Sequence, residues 1–136
     1  MRRIHWLLVL PLFAGSCTLP PETIPVQPLP QNGQADYAGV VTRARLQAGT
    51  ATEAFYVDKW SALEDAAKAL KESAALLAKS TDVPAKQKDK LAANAAELAK
   101  EADQLREAAK AQDVQRSNET LQRIHLKVRE LRPEAQ

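Results

Sequence analysis

The chain has 136 residues, with 19 basic against 17 acidic side chains, 45% apolar and 4% aromatic residues, and one cysteine. This length bounds it to one small domain and excludes enzymes built on large cofactor folds. Glycine occurs only at Gly15, Gly33, Gly39 and Gly49, so everything after Gly49 lacks the residue that phosphate-cradling loops and tight hairpin turns need; an all-helical body is expected.

The chain opens on Arg2 and Arg3, continues through an apolar stretch from Ile4 to Ala14, and reaches Gly15, Ser16 and Cys17. That is the layout of a signal peptide. The stretch contains His5 and Pro11 and is well short of the roughly 20 apolar residues a spanning helix needs. An unpaired thiol is a liability in an oxidising compartment, so the lone Cys17 is expected to be modified. Ala14-Gly15-Ser16-Cys17 resembles the bacterial lipoprotein box, with Ala14 standing where Leu is commoner. The resemblance implies loss of residues 1–16 and palmitate-type acyl chains on Cys17 that anchor the chain to a membrane. Because Thr18 rather than Asp follows the cysteine, it also implies sorting to the outer membrane, with the body facing the periplasm. Two or three acyl chains, at about 0.8 kcal/mol per buried CH2, hold a protein on a bilayer durably. An ordinary secretory signal whose cleavage region happens to hold a cysteine is the other reading. Loss of Arg2 and Arg3 leaves basic and acidic side chains in equal number, which removes the case for nucleic-acid binding by the whole domain.

Residues 17–36 form the expected lipidated cysteine and its tether. Pro20, Pro21, Pro25, Pro28 and Pro30 lie in a stretch without apolar periodicity, which predicts a disordered, partly polyproline segment. At about 3.1 Å per residue it reaches roughly 60 Å at most. The helical body is expected over 37–132 and a disordered tail over 133–136. Tyr37, Val40, Val41, Ala44 and Ala48 recur at helical spacing, and Gly49 stands where a C-terminal cap is expected. Thr50 with Glu53 three residues later is the pattern of a helix start, so a new helix, or a continued and kinked one, is expected to begin here. Tyr56, Trp60, Leu63, Ala67, Leu70, Ala74 and Leu77 then make one stripe, predicting a long helix over 51–79.

Ser80 to Pro84 reads as a tight turn. Leu91, Ala95, Leu98, Ala102, Leu105 and Ala109 predict a second long helix over 84–112, antiparallel to the first. Continued at that phase the stripe would turn polar, so a break is expected at Gln112-Asp113, with Asp113 capping a last helix that carries Val114, Leu121, Ile124, Val128 and Leu131 and ends before Pro133. The expected fold is all-α: an antiparallel, coiled-coil-like hairpin extended to a three- or four-helix up-and-down bundle, with the 37–48 segment across one end or as a short fourth member. Alanine-rich stripes bury little area each, so modest stability is expected. Phe55, Tyr56 and Trp60 are expected to anchor the core rather than form a ligand cage.

Once residues 1–16 are removed, His125 is the one histidine. Zinc or copper sites needing several His or Cys ligands are therefore excluded within one chain. Gln122 stands where a Glu-x-x-His pair would need its Glu. Ser117 lies eight residues before His125, roughly 12 Å along the same helix, too far for a nucleophile and its base. Glu97 and Glu101 beside Lys100 are expected on a solvated face. No enzymatic activity and no metal are expected.

Leu121 to Arg129 resembles the tail of the cytochrome c-prime bundles, which read Cys-x-x-Cys-His with Arg four residues after the His. Leu121 and Ile124 occupy the positions of the haem-attaching cysteines, while His125 and Arg129 keep those of the axial ligand and its neighbour. The resemblance implies haem binding or electron transfer through His125 without covalent attachment. The residues by themselves favour His125 at the edge of the seam, hydrogen-bonded to a neighbouring helix. The run from Phe55 to Arg132 is also similar to small uncharacterised lipoproteins of planctomycete-type bacteria, a resemblance that implies no activity.

Lys79, Lys86, Lys88 and Lys90 gather at the hairpin tip, and an antiparallel last helix carries Arg123, Lys127, Arg129 and Arg132 toward the same end, among Asp82, Asp89, Glu130 and Glu134. With the tether at the opposite end, Lys86, Lys88 and Lys90 would face away from the membrane toward an anionic envelope polymer such as peptidoglycan. A solvated helix end of mixed charge is the plainer expectation. The sequence points to a lipid-anchored, non-enzymatic helical interaction or structural module of the cell envelope, with a second copy of the chain among its candidate partners.

Overall fold

A computed structural model describes residues 36–132. The expected signal over 1–16, Cys17, the tether before Asp36 and the tail over 133–136 lie outside the described residues. Five helices follow in order: α1 (Tyr37–Tyr56), α2 (Trp60–Leu77), the single turn α3 (Ala85–Lys88), α4 (Leu91–Lys110) and α5 (Val114–Glu130). The four long ones pack in the ring order α1, α2, α4, α5. Links between helix ends make every neighbouring pair antiparallel: the Tyr37 N–H donates to Asp82 Oδ1 (2.8 Å) just past α2, and Tyr37 Oη donates to the Leu131 carbonyl (2.7 Å) at the end of α5. The protein is an all-α, four-helix up-and-down bundle.

Asp36 opens α1 by accepting from the Gly39 N–H at 2.9 Å, satisfying one of the free donors of a helix start. A Cβ on Gly39 would stand 3.1 Å from Asp36 Oδ2, so the bare glycine makes room for this cap. Gly49 does not end the helix. α1 runs through it because Ala44, Ala48, Ala51 and Ala54 on both sides are all buried against the bundle, and burial outweighs the roughly 1 kcal/mol that a mid-helix glycine costs. Thr50 and Glu53 therefore lie inside α1 and start nothing.

The helix expected over 51–79 is broken at Val57-Asp58-Lys59. A straight continuation would turn Leu63 and Leu70 roughly a third to a half turn away from Ala51 and Ala54, off the face those alanines bury. The chain instead reverses through Asp58 (φ 54°), with the Lys59 N–H reaching back to the Ala54 carbonyl (2.9 Å). Tyr56 is thereby 74% exposed and is not a core anchor. Phe55 and Trp60 stay half-buried against the core in an edge-to-face pair with centroids 6.2 Å apart.

The helix expected over 84–112 begins later. Pro84 leads into α3, the chain kinks at Asp89-Lys90, and α4 starts at Leu91. The break near Gln112 falls where it was expected: Gln112 has φ 51°, the Asp113 N–H reaches the Ala108 carbonyl (3.0 Å), and Asp113 Oδ1 accepts from the Arg116 N–H (2.9 Å). Val114 is 59% exposed, contrary to its expected place on the seam, whereas Leu121, Ile124, Val128 and Leu131 are buried.

The core is layered from Tyr37, Leu63, Leu70, Leu77, Leu98, Leu105, Ile124 and Leu131, with alanines between them. Val83 closes the end where α2 turns toward α4. Among the described residues this core runs from Tyr37 to Leu131.

Candidate functional site

His125 is exposed on α5, on the side that faces α1. Its Nε2 lies 2.8 Å from Thr52 Oγ1, and the same hydroxyl donates to the Ala48 carbonyl at 2.9 Å. In either tautomer of the ring, Nε2 is engaged by this hydroxyl. This is the link to a neighbouring helix that the sequence favours for His125.

The same geometry tests haem. An axial ligand needs an imidazole lone pair facing the iron. Nε2 is committed to Thr52, and Leu121 and Ile124, at the positions of the haem-attaching cysteines, are buried in the core while His125 faces outward. Arg129 is exposed. These residues do not fit a porphyrin.

Lys86, Lys88 and Lys90 are exposed on and beside α3. The Gln87 side-chain amide donates to the Glu130 carbonyl (2.9 Å), which fastens α3 to the end of α5. The Tyr37–Asp82 bond puts this tip at the end where the chain enters the bundle through Asp36. The expectation that the chain enters at the opposite end is thus reversed, because α1 is a full-length helix antiparallel to α2 rather than a short segment at the far end. Lys79, Arg129 and Arg132 share this end, interleaved with Asp36, Asp82, Asp89 and Glu130, so the surface has no single sign. The Tyr37 backbone N–H, with a further hydrogen bond to Asp36, holds the Asp82 carboxyl below its ordinary range.

Arg123 and Lys127 are taken up along the α4–α5 seam, Lys127 one turn before Leu131. Arg123 Nε pairs with Glu101 (2.8 Å), and its guanidinium also donates to Gln104 (3.1 Å) and Thr120 (2.9 Å). Lys127 pairs with Glu97 and with Glu130. Glu97 and Glu101 are therefore not a free carboxylate pair: each answers a cation of α5 across the α4–α5 seam. Lys127 holds Glu97 below the usual carboxylate range, and Glu97 and then Glu130 hold Lys127 above the usual lysine range. Lys71–Asp103 (2.8 Å) and Arg106–Glu64 (3.2 Å) tie α2 to α4 in the same way. No ion pair among the described residues involves α1.

Three buried hydroxyls escape a reading that counts only apolar residues. Ser73 Oγ meets the Gln47 side-chain amide at 2.7 Å, Thr120 Oγ1 donates to the Arg116 carbonyl (2.7 Å), and Ser117 Oγ has no partner among the described residues. Ser117 stands one turn before Leu121 on the apolar stripe, a spacing that marks it as interior. Among the described residues no group of three or more His, Cys, Asp or Glu is placed to hold a metal ion, and no helix is long and apolar enough to cross a membrane. Compared with models of known protein families, with curated proteins and with solved structures, the chain matches none.

Proposed function

We propose that the chain is a lipid-anchored protein of the cell envelope, held at Cys17 in the outer membrane, whose four-helix bundle works in the periplasm as a non-enzymatic binding or structural module. The observation that carries this reading is the lone cysteine at the end of Ala14-Gly15-Ser16-Cys17, directly behind a charged and then apolar leader. The bundle begins at Asp36, so 18 residues, 18–35, separate it from the anchor. The interior is filled mostly by leucine and alanine side chains, and four ion pairs brace α4 against α2 and α5, which suits a rigid body that presents surfaces.

With the chain entering beside α3, Lys86, Lys88 and Lys90 lie on the anchored side, and a polymer distant from the membrane is no longer their natural partner. The partner is sought on the sides of the bundle. The anchor is tested by growing cells that express the chain with labelled palmitate. Label in the membrane-bound protein, lost in Cys17→Ser together with membrane retention, is the expected result; an unlabelled wild-type protein overturns the reading.

A further inference from the structure

α1 is the least charged of the long helices: in twenty residues it carries Arg43, Arg45 and Glu53 and no other charge. A surface helix normally turns a charged face to water, and one that lacks it is usually covered. Ala44 and Ala51 point straight into the core, and the face opposite them is a second stripe at spacings of three and four: Gly39, Thr42, Leu46, Gly49, Glu53 and Tyr56. Leu46 is 55% exposed. A Cβ on Gly49 would meet nothing within 4 Å, so packing inside the bundle gives no reason for a glycine there, and a mid-helix glycine is unfavourable without one.

The order of large and small residues on this stripe is its own complement. With a second α1 laid antiparallel about the point midway between Leu46 and Gly49, Leu46 faces the Gly49 gap of the second copy, Glu53 faces Thr42, and Tyr56 faces Gly39, beside which the Asp36 carboxylate lies. Each large side chain meets a small one, and all three matches occur in one register. Charge agrees with size. Glu53 comes to lie within one helical turn of Arg45 of the second copy, and neither residue forms an ion pair within the described residues.

We propose that the outward face of α1 is the docking surface for a second copy of this chain, forming a two-fold, antiparallel α1–α1 pair with Leu46 seated over Gly49. The contact is isologous, so it closes at two copies. One helix per partner buries less than a stable dimer needs, which places the pair among transient interfaces. Two copies anchored in one membrane can meet in this way, because a tether reaching up to roughly 60 Å exceeds the roughly 30 Å length of α1.

This names a partner for the module proposed above, and its test leaves out Cys17, so failure of the anchor reading leaves the result standing and the reverse also holds. The chain from Thr18 to Gln136 is examined by sedimentation equilibrium from about 1 μM to 1 mM, with circular dichroism melts to confirm folding. A reversible monomer–dimer equilibrium is expected. Gly49→Leu should weaken it at least about tenfold with an equal or higher melting temperature, since a Cβ there meets nothing within 4 Å in the monomer and leucine favours helix over glycine. Glu53→Arg should also weaken it, and Arg45→Glu with Glu53→Arg should restore it. If Gly49→Leu unfolds the segment, the charge exchange decides. A segment that stays monomeric throughout, a folded Gly49→Leu that dimerises as the parent does, or no recovery in the double exchange each overturns the proposal.

Discussion

Ser117 and Tyr37 show how much a single polar atom weighs in a core made largely of alanine. Ser117 Oγ is buried with no partner among the described residues, so its hydroxyl is desolvated without return. Ser117→Ala should stabilise the bundle by about 1 kcal/mol, read as a rise in urea midpoint with unchanged slope; a lower midpoint would mean that the hydroxyl has a partner in solution. Tyr37 is the opposite case. Its phenol donates to a carbonyl at the end of α5, and burial pushes its pKa up from the ordinary value of 10.0. Tyr37→Phe leaves that carbonyl without its donor and should cost about 1–2 kcal/mol. Because the folded phenol is held neutral, its share of stability is complete below pH 10 and falls as pH rises toward the raised folded value. Asp82 runs the other way: its carboxyl is lowered from 3.8, so its share is complete above that value and is lost as pH falls through the lowered one. Asp82→Asn should therefore flatten the acid limb of a stability–pH curve and leave the alkaline limb, where Tyr37 titrates, in place.

At the scale of the element, the two reversals at the far end of the bundle use one device. Val57-Asp58-Lys59 and Ala111-Gln112-Asp113 each put a non-glycine residue at positive φ, with the next N–H reaching back five residues to close the preceding helix. Left-handed geometry at a residue with a Cβ costs about 1–2 kcal/mol. Asp58→Gly and Gln112→Gly should each recover about 0.5–1 kcal/mol in thermal melts; no gain at either would show that the parent side chain compensates locally. The same two residues explain what the sequence concealed. Glycine is the usual residue at such a reversal, and the one glycine inside the body that could supply it, Gly49, sits mid-helix, while the actual left-handed residues are Asp and Gln. The last break was legible because Asp113 also supplies a side-chain cap and the apolar phase slips there. The break at Asp58 was not: the spacing of Tyr56, Trp60 and Leu63 runs unbroken across it, although Tyr56 and Leu63 serve different surfaces. His125 was placed correctly as a seam-edge residue because its neighbours Leu121, Ile124 and Val128 fix the buried side of α5, but no pattern in the sequence singles out Thr52 as its partner.

Over the whole molecule, the reversal at Asp58 decides the topology. It makes α1 a full member of the bundle, brings Asp36 to the α3 end, and leaves one seam, α1 against α5, to be closed by helices from opposite ends of the body. α2 and α4 share the widest contact, and α1 and α5 are each joined to this pair by a three-residue reversal, whereas the α1–α5 seam is narrow and bridged by the Tyr37–Leu131 and Thr52–His125 bonds. Contacts local in sequence form at small loop-closure cost, and those between distant segments form later. The α2–α4 hairpin is then the expected nucleus and the α1–α5 seam the last to close. In stopped-flow kinetics Ala74→Gly, inside α2 and worth about 1 kcal/mol, should act mainly by slowing refolding. Tyr37→Phe should act mainly by speeding unfolding, with refolding almost unchanged. If Tyr37→Phe slows refolding as much as Ala74→Gly does, the seam is already formed in the transition state and the bundle folds as one unit around its four-helix core.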